Sequence, residues 1–89
     1  MIEKKQQIFN KLGLHARAAA KLSHLANMYT SEIYLTYNED KVNAKSLLGI
    51  LTLAASVGNE IILQASGEDE KDAVAAISDL FNRKFDEES

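Results

Sequence analysis

Apolar residues recur at helical spacing in some stretches of this chain and alternate in others. Ala18, Leu22, Leu25 and Tyr29 follow one another at steps of four, three and four, with Ala19 and Ala26 beside them. This predicts a helix over residues 16–28 with one buried stripe. Near the end of the chain Ala73, Val74, Ile77, Leu80, Phe81 and Phe85 form the apolar face of a second helix, with Asp69 as its expected N-cap. Strand patterning is clearest in "EIILQAS" (60–66), where Ile61, Leu63 and Ala65 face one way, and in "SEIYLTY" (31–37), where Ile33 and Leu35 alternate with Glu32, Tyr34 and Thr36. "NED" reads as a turn and "KVNA" as the return strand of a hairpin. Residues 2–9 make a poorer strand, since only Ile2, Ile8 and Phe9 are apolar.

The segment "SLLGILTLAA" breaks the surface-helix pattern. Leu47, Leu48, Ile50, Leu51 and Leu53 occupy most of the helix circumference, and a chain of 89 residues cannot bury a helix on every side. Either some of these side chains are exposed or a partner covers them, and an exposed apolar patch marks an interaction site. The element order is β-α-β-β-α-β-α in a single domain spanning residues 1–89. Hairpin-length connections and interspersed helices predict an α+β fold, an antiparallel sheet with helices on one face.

Composition narrows the chemistry. A hydrophobic fraction of 46% with 26% charged residues fits a globular domain rather than a disordered chain. The absence of cysteine removes disulfides, thiolate metal sites and cysteine nucleophiles. Two histidines without H-x-x-x-H spacing argue against a metal site, and no cofactor is expected. A net charge of −3 argues against nucleic acid as the main ligand. "MIEKKQQIF" has no signal-peptide core and "LLGILTLAASVG" is too short to span a bilayer, so the expectation is a cytoplasmic protein without membrane insertion.

The candidate chemistry sits in "NKLGLHARAAAKL". Gly13 permits a sharp turn, and a helix then begins at about His15 or Ala16. The first N–H groups of a helix lack intrahelical acceptors and, with the macrodipole, favour an anion. A ring at the N-cap is accessible, and the positive helix start favours the neutral imidazole with a nitrogen lone pair available. Arg17 can turn its fork toward an oxyanion on that ring. These are the parts needed to phosphorylate a histidine nitrogen. On spacing alone, H-x-R reads equally well as a helix-starting histidine followed by a solvated arginine. His24, in mid-helix without an acid or base partner in sequence, reads as a surface or half-buried residue. Ser46 is the expected N-cap of the apolar helix. With Lys45 beside it, its exposed hydroxyl is also a candidate for phosphorylation. The acidic ends "GEDEKD" and "FDEES" read as a helix start suited to its dipole and a solvated tail.

Together "NKLGLHARAAAKL", "VNAKSLLGILTLAASVGNEI" and "ASGEDEKDAVAAISDLF" resemble HPr, the histidine-containing phosphocarrier family of the bacterial phosphoenolpyruvate-dependent phosphotransferase system, over about residues 6–86. The resemblance implies an open-faced β-sandwich with four antiparallel strands in the order 1-4-2-3 and three helices on one face. It implies that His15 carries a phosphoryl group on Nδ1, taken from phosphorylated Enzyme I and passed to enzyme IIA proteins. Arg17 then corresponds to the active-site arginine, the backbone of Ala16 and Arg17 to the phosphoryl-binding amides, and Ser46 to the serine that an HPr kinase/phosphorylase modifies. Ala20, Leu47, Leu48 and Leu51 correspond to the docking surface of a monomeric carrier, a relay component rather than a stand-alone enzyme. Ala18 departs from the family, which has proline there. Alanine keeps an additional N–H near the anion site, so the site is expected to survive. The tail "LFNRKFDEES" is similar to the nitrogen-related branch of the same system.

Overall fold

In the computed structural model, which describes residues 1–87, four strands form one antiparallel sheet. They are β1 (Ile2–Gln7), β2 (Glu32–Tyr37), β3 (Asp40–Asn43) and β4 (Glu60–Ser66), and their order across the sheet is β1-β4-β2-β3. Helices α1 (Ala16–Ala26), α2 (Leu47–Thr52) and α3 (Glu70–Asn82) cover one face. This is the open-faced sandwich expected for the chain. Pairing of Ile33 with Ala65 and of Leu35 with Leu63 brings the inward residues of the two central strands together. Leu22, Ile50, Ile77 and Phe81 close over them, all fully buried.

The first helix is shorter than its apolar pattern predicts. It ends at Ala26, where Asn27 folds its side chain back to the Ser23 carbonyl (2.7 Å) and onward to the Lys45 carbonyl (3.1 Å). Leu25 and Tyr29 remain half-buried against the core. The hairpin turns on Asn38 and Glu39, both at positive φ, between the paired residues Tyr37 and Asp40.

Strand β1 ends at Gln7 rather than running to Phe9, and its inward face is polar in the middle. Gln6 is buried, and its side chain accepts from Ser78 Oγ (2.7 Å) while donating to Asn82 Oδ1 (3.0 Å). Lys4 Nζ donates to the same Ser78 hydroxyl (2.8 Å). A chain of side-chain hydrogen bonds therefore stands between β1 and α3 where alternation would place leucines. Because each polar member is paired, burial does not carry the penalty of an orphaned group.

Asp69 occupies the N-cap position of α3, but its carboxylate does not cap the helix. It accepts instead from the Thr30 and Ser31 backbone amides (2.8 and 2.9 Å) and from the Ser31 hydroxyl (2.5 Å), closing the entrance to β2. The Ser31 hydroxyl and the Thr30 amide hold its carboxyl down to about 2. Phe85 also departs from the helix-face expectation: α3 stops at Asn82, and Phe85 is buried from beyond the helix end.

Candidate functional site

The loop before α1 is shaped by a glycine. Gly13 lies at φ +64°, and a Cβ there would stand 2.6 Å from the Ala55 carbonyl oxygen. That carbonyl accepts the Leu14 amide (3.1 Å), and buried Asn10 closes the same loop by donating from Nδ2 to the Gly13 carbonyl (2.7 Å). A side chain at position 13 would therefore push apart the two loops that hold His15 in place.

His15 is the N-cap residue, with extended backbone (φ −73°, ψ 177°), and its side chain makes no capping bond. The first intrahelical bond runs from the Ala19 amide to the His15 carbonyl (2.8 Å), which leaves the amides of Ala16, Arg17 and Ala18 without helical acceptors. Ala18, unlike a proline, thus adds an N–H to the helix start. It is fully buried against the core. Arg17 is exposed and has no ion-pair partner among the described residues. His15, Ala16 and Arg17 line an open basin of about 690 Å³, together with Leu12, Lys21, Asp86 and Glu87. Among the described residues no group of three or more His, Asp or Glu side chains comes together as a metal site.

Asp86 and Glu87 belong to the segment read from sequence as a solvated tail; Asp86 is exposed as expected, but for Phe85 and Glu87 that reading is wrong. Lys84, Phe85 and Asp86 all adopt left-handed backbone (φ 58°, 55° and 62°), forming a single turn closed by the Asp86 amide on the Arg83 carbonyl and the Glu87 amide on the Lys84 carbonyl (3.0 Å each). Phe85 is turned into the core against Phe81, ring edge to face at 4.9 Å. Glu87 is thereby delivered to His15, with its Oε2 2.5 Å from the ring Nε2. Its other oxygen accepts from Asn10 Nδ2 (3.2 Å). Glu88 and Ser89, the rest of that tail, lie outside the described residues.

Partial burial pushes the Glu87 carboxyl up, but the hydrogen bonds from His15 and Asn10, with the Lys21 ammonium nearby, outweigh it and leave it below the usual carboxylate range. Glu87 is therefore an anion at neutral pH. An ionised carboxylate only accepts, so the proton in this contact is on Nε2. Nδ1 has no hydrogen-bond partner among the described residues.

Ser46 caps α2 as predicted, its Oγ accepting the Gly49 amide (3.0 Å). Lys45 makes no hydrogen bond to that hydroxyl among the described residues. Its ammonium donates to the Tyr29 carbonyl (2.7 Å). Within α2 the apolar residues divide: Ile50 is buried and Leu51 half-buried, while Leu47 and Leu48 are 40% and 74% exposed. Ala20 and His24 are exposed on α1, which packs against α2.

Comparison with known proteins identifies the family. Residues 2–83 match the PTS-HPr family, described as the PTS HPr component phosphorylation site. The chain is 44% identical to the phosphocarrier protein HPr of Neisseria meningitidis serogroup A, over 98% of each chain. It is 46% identical to the phosphocarrier protein NPr of Shewanella violacea, over 99% of this chain and 97% of that one. Among solved structures, an HPr from Thermoanaerobacter tengcongensis superposes with a TM-score of 0.96 at 45% identity, each chain covered completely. This chain belongs to the HPr family of phosphocarrier proteins of the phosphotransferase system.

Proposed function

We propose that this protein accepts a phosphoryl group on His15 Nδ1 from phosphorylated Enzyme I and passes it to an enzyme IIA protein. The observation that carries the reading is the ring itself: one nitrogen is engaged by Glu87, the other has no partner among the described residues, and the ring shares a basin with residues whose amides have no helical acceptors. In the forward step the Nδ1 lone pair forms a new N–P bond while the donor's bond to phosphorus breaks, its electron pair leaving with the donor. The Ala16 and Arg17 amides and the Arg17 guanidinium receive the phosphoryl oxygens. HPr and NPr relatives are about equally similar to the chain, so the chemistry proposed is the step both names share, phosphoryl carriage. Incubation with phosphoenolpyruvate and Enzyme I is expected to raise the intact mass by one phosphoryl group, lost in acid and kept in base. No mass change would refute the reading.

Ala20, Leu47, Leu48 and Leu51 supply the docking surface in this proposal, and the exposure of Leu47 and Leu48 supports it. Ser46 stands at the edge of that surface and supports a regulatory reading, in which its phosphorylation by an HPr kinase/phosphorylase sets partner choice. A phosphate or carboxylate there would lie beside leucines that a partner must strip of water, which is costly without a new cation, and Lys45 is already committed to Tyr29. Ser46→Asp is therefore expected to melt within a few degrees of the parent but to receive phosphate from Enzyme I more slowly. Ser46→Ala should lose about 1 kcal/mol of stability and transfer at the parent's rate. Equal transfer rates for the two variants would leave Ser46 as a helix cap alone.

A further inference from the structure

The side chain that touches the His15 ring comes from 72 positions away, and three anchors hold it there. Phe85 is sealed in the core, its carbonyl accepts Lys21 Nζ (2.7 Å), and Asn10 holds the carboxylate oxygen that His15 does not use. A left-handed turn of three non-glycine residues is conformationally costly, so it persists only where such contacts impose it. The strained segment places a carboxylate behind a histidine ring, on the nitrogen away from the unpaired one. Carboxylates in that position orient catalytic and metal-binding histidines by fixing the tautomer.

We propose that Glu87 is a positioning residue for phosphoryl transfer. By accepting the Nε2–H of His15 it keeps the reactive lone pair on Nδ1, and it offsets the positive charge that the ring acquires when Nδ1 bonds to phosphorus. The inference rests on His15 being the phosphoryl acceptor. As the N–P bond forms, the ring keeps its Nε2 proton and becomes a phosphorylated imidazolium. When the group moves on, the N–P electron pair returns to Nδ1 and the ring is neutral again with the same proton in the same place. No proton has to move in either direction. The charged groups around the ring are Glu87 on Nε2 and, lining the same basin, Arg17, Lys21, which is bonded to the Phe85 carbonyl, and Asp86, which is paired to Arg83. Of these, Arg17 has no ion-pair partner among the described residues and is the cation left for the phosphoryl group, while Glu87 is the counter-ion of the ring.

The test uses the full chain with Glu87→Ala and Glu87→Gln, following both the initial rate of phosphoryl uptake from phosphorylated Enzyme I and the Nε2–H proton resonance of His15 in nitrogen-15-labelled protein. The parent is expected to show that proton slowed in exchange with water. In Glu87→Ala it should exchange freely, and uptake should slow about tenfold or more, the size of effect typical when a histidine loses its orienting partner. Glu87→Gln keeps an acceptor without the charge and should recover part of both signals. Uptake by Glu87→Ala at the parent's rate would overturn the proposal, and faster uptake would make Glu87 an acidic guard of the basin instead. A parent chain that shows the protected proton but gains no phosphoryl group would defeat the carrier reading, and the positioning role with it. Normal parental uptake with indifferent variants would defeat the positioning role alone.

Discussion

His15→Ala is expected to gain no phosphoryl group at all from Enzyme I and phosphoenolpyruvate, while unfolding cooperatively close to the parent's melting temperature. The ring is the only nucleophile at the start of α1, and its side chain contributes nothing to the capping of that helix. Its folded-state partner is Glu87, which keeps its hydrogen bond from Asn10 when the ring is removed. The ring is 27% exposed and the Glu87 side chain 14% exposed. Deleting the imidazole therefore opens a surface basin rather than a core cavity, and the loss of stability should stay within roughly 1 kcal/mol. Intact-mass measurement and thermal melting of the same sample check the two halves of the expectation. Phosphoryl uptake by the variant would place the acceptor elsewhere, on His24 in the first instance. A large fall in melting temperature would make His15 a structural residue.

Those features of the site that depend on local chemistry were legible in the sequence. Strand β4 matches its predicted limits, residues 60–66, because Ile61, Leu63 and Ala65 alternate without interruption. The Ser46 cap follows from a serine preceding an apolar run, and the helix start at Ala16 from the Gly13 turn. The paired interior of β1 was not legible, since Gln6 is satisfied by Ser78 and Asn82, 72 and 76 positions away. Asp69 reads as a helix cap until the tertiary fold brings the Thr30 and Ser31 amides within its reach. The Glu87 contact was hidden for a different reason. Phe85 follows Phe81 by one helical turn, so periodicity extends α3 through it and sends the acids after it into solvent. The left-handed turn that reverses this outcome contains no glycine to announce it, and its stabilising contacts come from Lys21, Asn10 and His15 at the other end of the chain.

Phe85→Ala is the substitution expected to cost the most stability, and it links the core to the site. Removing a fully buried phenylalanine ring costs about 3–5 kcal/mol in transfer and cavity terms, and here it also ends the edge-to-face contact with Phe81. Against this stands the strain of Lys84, Phe85 and Asp86, about 1–2 kcal/mol for each left-handed residue. The two quantities are similar in size. Without the ring, the Lys21 bond to the Phe85 carbonyl and the ion pairs of Arg83 with Asp79 and Asp86 must hold the turn, and those pairs are exposed and weak. The turn is expected to relax toward right-handed or extended backbone and withdraw Glu87 from His15. Chemical denaturation should report the loss of about 3–5 kcal/mol, and the His15 Nε2–H resonance should lose its protection in the same variant under native conditions. Lys84→Gly separates strain from packing. Lys84 is exposed at φ 58°, so glycine there relieves a conformational cost without touching the core. It should leave stability within about 1 kcal/mol of the parent, on the stabilising side, with the Nε2–H still protected. A Phe85→Ala chain that melts like the parent and keeps its protected proton would show that the turn holds itself, and that the core has no part in presenting Glu87 to His15.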